Sequence, residues 1–100
     1  ANCNEMRLRV GRSMQPPAFW ETLLPDAAVR NQISREHFEV SIGDGGELCL
    51  RNFSPSGTLV NGKRVVDHAE LLPHDMLAVT ASAHSEVPVV IFRLLVAGFS

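Results

Sequence analysis

A twisted antiparallel β-sandwich is the fold that this sequence of 100 residues predicts, on three observations. Apolar side chains alternate with polar ones in Met6, Leu8 and Val10 and again in Phe38, Val40 and Ile42, the two-residue period of a strand buried on one face. Residues that tolerate positive φ cluster in GDGG at 43–46 and in Asn61-Gly62. Turn signals of this kind recur at roughly ten-residue intervals, the spacing of short strands in a sandwich.

Each element follows in chain order. The first strand carries Met6, Leu8 and Val10 on one face and Arg7 and Arg9 on the other, and runs straight into Gly11, Arg12 and Ser13. Residues 15–32 hold the only tryptophan and three of the six prolines, and read as a long structured connection. A short helical turn is expected after Pro17, and a short strand over residues 22–24. Phe38 to Ile42 then pairs through the 43–46 turn with ELCLRNF at 47–53 as a hairpin. GTLVNGKRVV, residues 57–66, places Asn61 and Gly62 between β-prone segments and predicts a second hairpin closed by a two-residue type I′ turn. After LLPHD, Met76 to Thr80 and residues 87–96 make two more strands. The last is apolar on both faces, which predicts a central or well-covered position.

Composition narrows the function classes. A chain of this length holds one core, so residues 1–100 read as a single domain. With 45% apolar and 20% charged residues it has the make-up of a folded globular protein. The net charge of −2 provides no general positive field, so direct nucleic-acid binding is not expected and any anion site must be local. No apolar run reaches membrane-spanning length, so no membrane partner is expected. Cys3 and Cys49 form no disulfide framework, which favours an intracellular, reducing compartment, in cytoplasm or nucleus. The four histidines, His37, His68, His74 and His84, lack tight spacing with one another or with the cysteines; no metal site and no cofactor is expected.

Three islands sit at strand ends: VGRS at 10–13, ISREH at 33–37, and NFSPSGTLVNGKRV at 52–65. In this order, on alternating strands, they resemble the forkhead-associated family, which reads Gly-Arg, then Ser-x-x-His, then Ser-x-x-Gly-Thr-x-x-Asn-Gly. The late LLPHDML resembles the family's Leu-x-x-Gly-Asp-x-Ile segment, and the resemblance covers residues 6–96. It implies a noncatalytic module that binds phosphothreonine in short segments of partner proteins, using loops at one end of the sandwich.

The chemistry of these residue types supports that implication independently. A phosphothreonine carries about −1.5 to −2 charges and three strong acceptor oxygens. Arg12 offers a planar fork of donors at a strand end, Ser34 a hydroxyl donor, and Arg35 a backbone donor or a second cation. Arg12 and Ser34 are therefore expected to hold the phosphate with help from Arg35. Ser56 is expected to contact the ligand backbone, and Gln32 and Arg30 to face ligand residues beyond the phosphate. The resemblance makes His37 a scaffold that ties the loops together and Thr58 a loop brace. Gly11 and Gly57 are assigned to close backbone approach, and Asn61 with Gly62 to the turn.

Three features depart from the family pattern. Pro55 and Ser56 stand where many members carry a polar residue and then an asparagine; Pro55 offers neither hydroxyl nor N–H, a loss worth roughly tenfold in affinity. The 15–32 connection is an extended insertion, whose Trp20 or Phe19 either packs beneath the site or lies across it. One or two early strands of the usual sandwich are expected to be absent before residue 6 unless they lie upstream of this numbering; their absence would leave the last strand with an open edge able to pair with a second copy or with another part of its own protein. The alternatives are a phosphate-independent interaction domain and, third, a hydrolase built on Ser34 and His37. The latter requires both side chains in one cleft with a carboxylate behind them.

Overall fold

A computed structural model of the chain describes residues 6–43, 45–85 and 87–95. Eight strands and two short helices follow in the order β1 (Met6–Val10), α1 (Pro17–Leu23), α2 (Ala27–Arg30), β2 (Phe38–Ile42), β3 (Leu48–Asn52), β4 (Thr58–Val60), β5 (Lys63–Val65), β6 (His68–Leu71), β7 (Met76–Thr80) and β8 (Pro88–Arg93). Two four-stranded antiparallel sheets result, ordered β1-β2-β3-β6 and β5-β4-β7-β8. Cys3, Asp44 and the end of the last expected strand at Val96 lie outside the described residues.

Register explains why alternation was informative. Val10 lies opposite Phe38, which lies opposite Asn52; Leu8, Val40 and Leu50 form the next row. The inner rows meet Leu77 and Val79 of the other sheet in one core that also takes in Trp20, Ile33, Leu48 and Leu71. The row nearest the loops ends in a polar pair: Asn52 of β3 accepts a 3.0 Å hydrogen bond from the Thr58 hydroxyl of β4. Apolar packing thus ends where the connecting loops begin.

Both expected hairpins are present. Asn61 and Gly62 have φ of 52° and 86°, the paired left-handed conformations that a type I′ turn requires. Asn61 does more than turn the chain. Its amide donates to Asp75 and accepts from the Met76 N–H, tying this hairpin to the turn before β7. The Leu72 N–H and the Asn61 amide hold the Asp75 carboxyl below the usual carboxylate range.

Three expectations are corrected. Residues 22 and 23 close a helix rather than begin a strand, because Pro17 stands in the first helical turn and α1 turns Trp20 into the core. β6 was not foreseen: His-Ala-Glu-Leu carries no β-branched residue, and its place comes from pairing with β3. The last strand is not central. β8 pairs with β7 and stands at the end of its sheet, Val90 and Phe92 packing on the core while Ile91 remains 51% exposed. Continuous apolar character here reflects an edge that opens onto an apolar cleft, of about 330 Å³, between β1 and β8.

Candidate functional site

The loops after β1, before β2 and between β3 and β4 meet at one end of the sandwich, drawn together by backbone hydrogen bonds. The Arg12 N–H donates to the Ser34 carbonyl at 2.9 Å and the Ser13 N–H to the Arg35 carbonyl at 3.1 Å. The Gly-Arg turn therefore lies directly along the Ser-Arg segment, the bonded residues standing twenty-two positions apart in sequence. Gly11 permits this approach: a Cβ there would collide with the Arg35 carbonyl and come within 2.8 Å of the Glu36 Cα. Any side chain would pry the two loops apart.

The 15–32 connection supports this corner from below. Trp20, only 2% exposed, donates its indole N–H to the Gly11 carbonyl at 3.0 Å. Gln15 accepts from the Gly11 N–H and donates to the Arg9 carbonyl, satisfying backbone groups at the end of β1. Of the two placements open for the aromatic pair, Trp20 takes the one beneath the site, edge-on to Phe19 and Phe92.

Electrostatics leave the corner positive. The Arg12 guanidinium donates to the neutral Asn31 amide oxygen at 3.0 Å, and the exposed Arg35 side chain has no hydrogen-bond or ion-pair partner among the described residues. Glu36, the one carboxylate of 33–37, is drawn back onto Arg9 at 2.8 Å. Arg9 also reaches Glu39 at 3.3 Å.

His37 joins the loops. Fully buried, it accepts the Ser34 backbone N–H at Nδ1 and donates from Nε2 to the Gly57 carbonyl, at 3.2 and 3.1 Å. These partners specify the neutral tautomer protonated on Nε2. Burial pushes its pKa below the ordinary histidine value, opposed by the bond to the Gly57 carbonyl. Both ring nitrogens are occupied by main-chain groups, whereas the Ser34 hydroxyl lies 2.8 Å from that of Ser54. The geometry needed for a Ser-His nucleophile, ring nitrogen to hydroxyl with a carboxylate behind the ring, is not the one built here.

Two residues of the third island, given no role in the sequence reading, complete the network. Ser54 is buried, accepts the Ser56 N–H at 3.2 Å, and can donate to Ser34, which frees the Ser34 hydrogen for an outside acceptor. Asn52 donates to the Ser54 and Val66 carbonyls and accepts from Ser54 and Thr58. An asparagine at an inward position of an apolar strand was the signal available for it: a buried amide must be matched on several sides. Thr58, fully buried, puts its hydroxyl on the Asn52 amide oxygen.

The remaining expectations divide. Ser56, half buried, and Gln32, exposed, both sit in loops at this end. Arg30 does not face it. Its guanidinium donates to the Leu24 and Pro25 carbonyls at 2.6 and 2.9 Å, closing the connection between the helices. Left unpaired after α1, those carbonyls outcompete a solvent-facing role for the arginine. Gly57 has φ of 78°, which favours glycine, and its missing side chain leaves room for the Arg64 stem. Among the described residues, no group of three His, Cys, Asp or Glu side chains is placed to hold a metal ion, and no helix is long and apolar enough to cross a membrane.

No curated protein sequence matches the chain. Among solved structures, it is similar to the N-terminal FHA domain of Rad53p from S. cerevisiae, in complex with a phosphothreonine peptide. The identity there is 31% and the TM-score 0.46, over 49% of this chain and 41% of that one. The chain thus spans about two fifths of that structure's length, 41%. An engineered FHA with a Myc-pTBD peptide is similar in fold over 92% of this chain and 68% of that one, at 23% identity and a TM-score of 0.59. The family model described as FHA domain matches residues 8–79, from inside β1 to near the end of β7, and the chain belongs to that family.

Proposed function

We propose that this protein is a phosphothreonine-dependent interaction module, acting as one noncatalytic domain with residues 15–32 as an insertion, inside the cell. Arg12 and Ser34 hold the phosphate, Arg35 assists, Ser56 contacts the ligand backbone, and Gln32 faces residues beyond the phosphate. One observation carries the reading. The Arg12 main chain is hydrogen-bonded to that of Ser34, and among the described residues its guanidinium has only the neutral Asn31 amide as a partner. A dianionic group brought there meets a fixed cation with no competing carboxylate recorded on it.

The test is calorimetric titration with phosphothreonine peptides, their unphosphorylated twins and phosphoserine analogues. Arg12→Ala removes two charge-assisted bonds, about 3–6 kcal/mol, which weakens the phosphopeptide by at least about a hundredfold. The threonine methyl adds about 0.8 kcal/mol of burial, roughly fourfold over serine. Equal binding of phosphorylated and unphosphorylated twins, or indifference to Arg12→Ala, sinks the reading.

A second reading, phosphate-independent contact through the edge of β8 with a second copy or another part of its own protein, is favoured by the apolar cleft beside that edge. Phe19, Phe92, Leu94 and the exposed Leu8 line it. Sedimentation that depends on concentration but not on phosphate supports this reading instead.

A further inference from the structure

Arg64 in β5 attracts no notice in the sequence, yet it grips two loops at once. Its Nε donates to the Ser56 carbonyl at 3.0 Å. Its Nη2 lies 2.8 Å from the Thr80 hydroxyl, 3.2 Å from the Ser82 carbonyl and 2.6 Å from the Ser85 carbonyl. The stem rests on Gly57, where an added Cβ would come within 2.9 Å of the Arg64 Cγ. Every recorded acceptor is neutral oxygen, and three are main-chain carbonyls. One planar group therefore holds the 53–57 loop against the 81–85 loop by charge-assisted bonds, which a single-point ammonium could not reproduce.

The consequence falls on Ser56. A serine hydroxyl stands one bond beyond Cβ and cannot follow a loop that drifts. A displacement of about 1 Å carries an ordinary hydrogen bond out of range. The Arg12–Ser34 corner has its own backbone bonds and Trp20 beneath it, and it meets the 53–57 loop at Ser54 and, through His37, at Gly57 rather than at Ser56. We infer that Arg64 is a positioning residue for the ligand's main chain: it sets the Ser56 loop at the distance from the phosphate corner that an extended peptide requires, without shaping the corner itself. This inference rests on the phosphothreonine reading above.

The two parts of the site can be titrated separately. Arg64→Met keeps the stem over Gly57 and removes the guanidinium; amide-resolved NMR then follows a phosphothreonine peptide and free O-phosphothreonine. The peptide Kd should weaken roughly fivefold to tenfold while that of free phosphothreonine stays within about twofold. Hydrogen exchange at the Ser56 and Gly57 amides should quicken. Should Arg64→Met not fold, Arg64→Lys, which keeps a cation but not the fork, gives the same split between ligands. Equal weakening of both ligands, or of neither, overturns the inference. Wild-type protein that binds neither ligand overturns the phosphothreonine reading and takes this inference with it. Wild-type binding of both without the split in the variant overturns this inference alone.

Discussion

Mild acid should destabilise this fold through a single imidazole. Neutral His37 accepts from the Ser34 N–H at Nδ1 and donates to the Gly57 carbonyl from Nε2. A second proton would land on Nδ1 and face a donor. Burial holds the folded pKa below 6.5, so the unfolded chain takes up the proton first as pH falls. The stabilisation is therefore complete above about pH 6.5 and is lost as pH drops from there through the folded value. Between the two values the slope is about 1.4 kcal/mol per pH unit. At about 4–8 °C per kcal/mol for a domain of this size, the melting temperature should fall by roughly 5–10 °C per unit. Asp75 is also held below its ordinary value of 3.8, but its stabilisation is lost only at lower pH. The interval from about 6.5 to 4.5 thus isolates the imidazole. Calorimetric melts of wild type and His37→Gln across it are the assay, since glutamine keeps a donor and an acceptor but binds no proton there. A wild-type melting temperature that stays flat over this interval refutes the argument, as does an equal slope in a folded variant.

Three further substitutions separate support from contact. Gly11→Ala drives a methyl into the Arg35 main chain, so it should cost several kcal/mol and abolish phosphopeptide binding together with the native melt. Trp20→Phe removes the indole donor from the Gly11 carbonyl and leaves a cavity, a loss of about 2–4 kcal/mol seen as a fall of roughly 10–20 °C in melting temperature. Arg30→Ala unties the Leu24 and Pro25 carbonyls, which should lower stability by about 1–2 kcal/mol while phosphopeptide affinity, measured by calorimetry, stays within about twofold.

What the sequence made legible follows its periodicity. Strands with strict alternation, β1 and β2, were placed correctly because one buried face repeats every second residue. The Asn61-Gly62 turn was legible because its two positive φ values restrict the residue types that fit. β6 was not, and the apolar pattern of β8 pointed to a central strand while its open edge was expected only from the family resemblance, since local pattern does not encode pairing partners. The site divides along the same line. Gly11, His37, Thr58 and Ser54 lie in the family-like motifs, although the role of Ser54 emerges only from its contacts, whereas Asn52 and Arg64 matter through contacts made by folding. The bonds of Arg30 to the Leu24 and Pro25 carbonyls were not legible, because an arginine beside a loop looks the same in sequence whether it faces solvent or closes the carbonyls of a preceding helix.

That division bears on Pro55, the departure that weighed most against ligand binding. A loop that presented its donors one residue at a time would simply lose one at a proline. In the structure the loop is held from within and from outside. Ser54 accepts the Ser56 N–H, Asn52 accepts the Ser54 N–H, and Arg64 grips the Ser56 carbonyl. A proline at position 55 then removes one prospective contact while fixing φ in the middle of a loop whose flanks are already tied, lowering the entropy lost when it is ordered. The phosphate corner, made by Arg12 against Ser34, draws none of its hydrogen bonds from residue 55. Pro55 should therefore weaken the grip on the ligand's backbone and leave the attraction for its phosphate intact, so affinity depends more steeply on Arg12 than on the peptide's flanking residues.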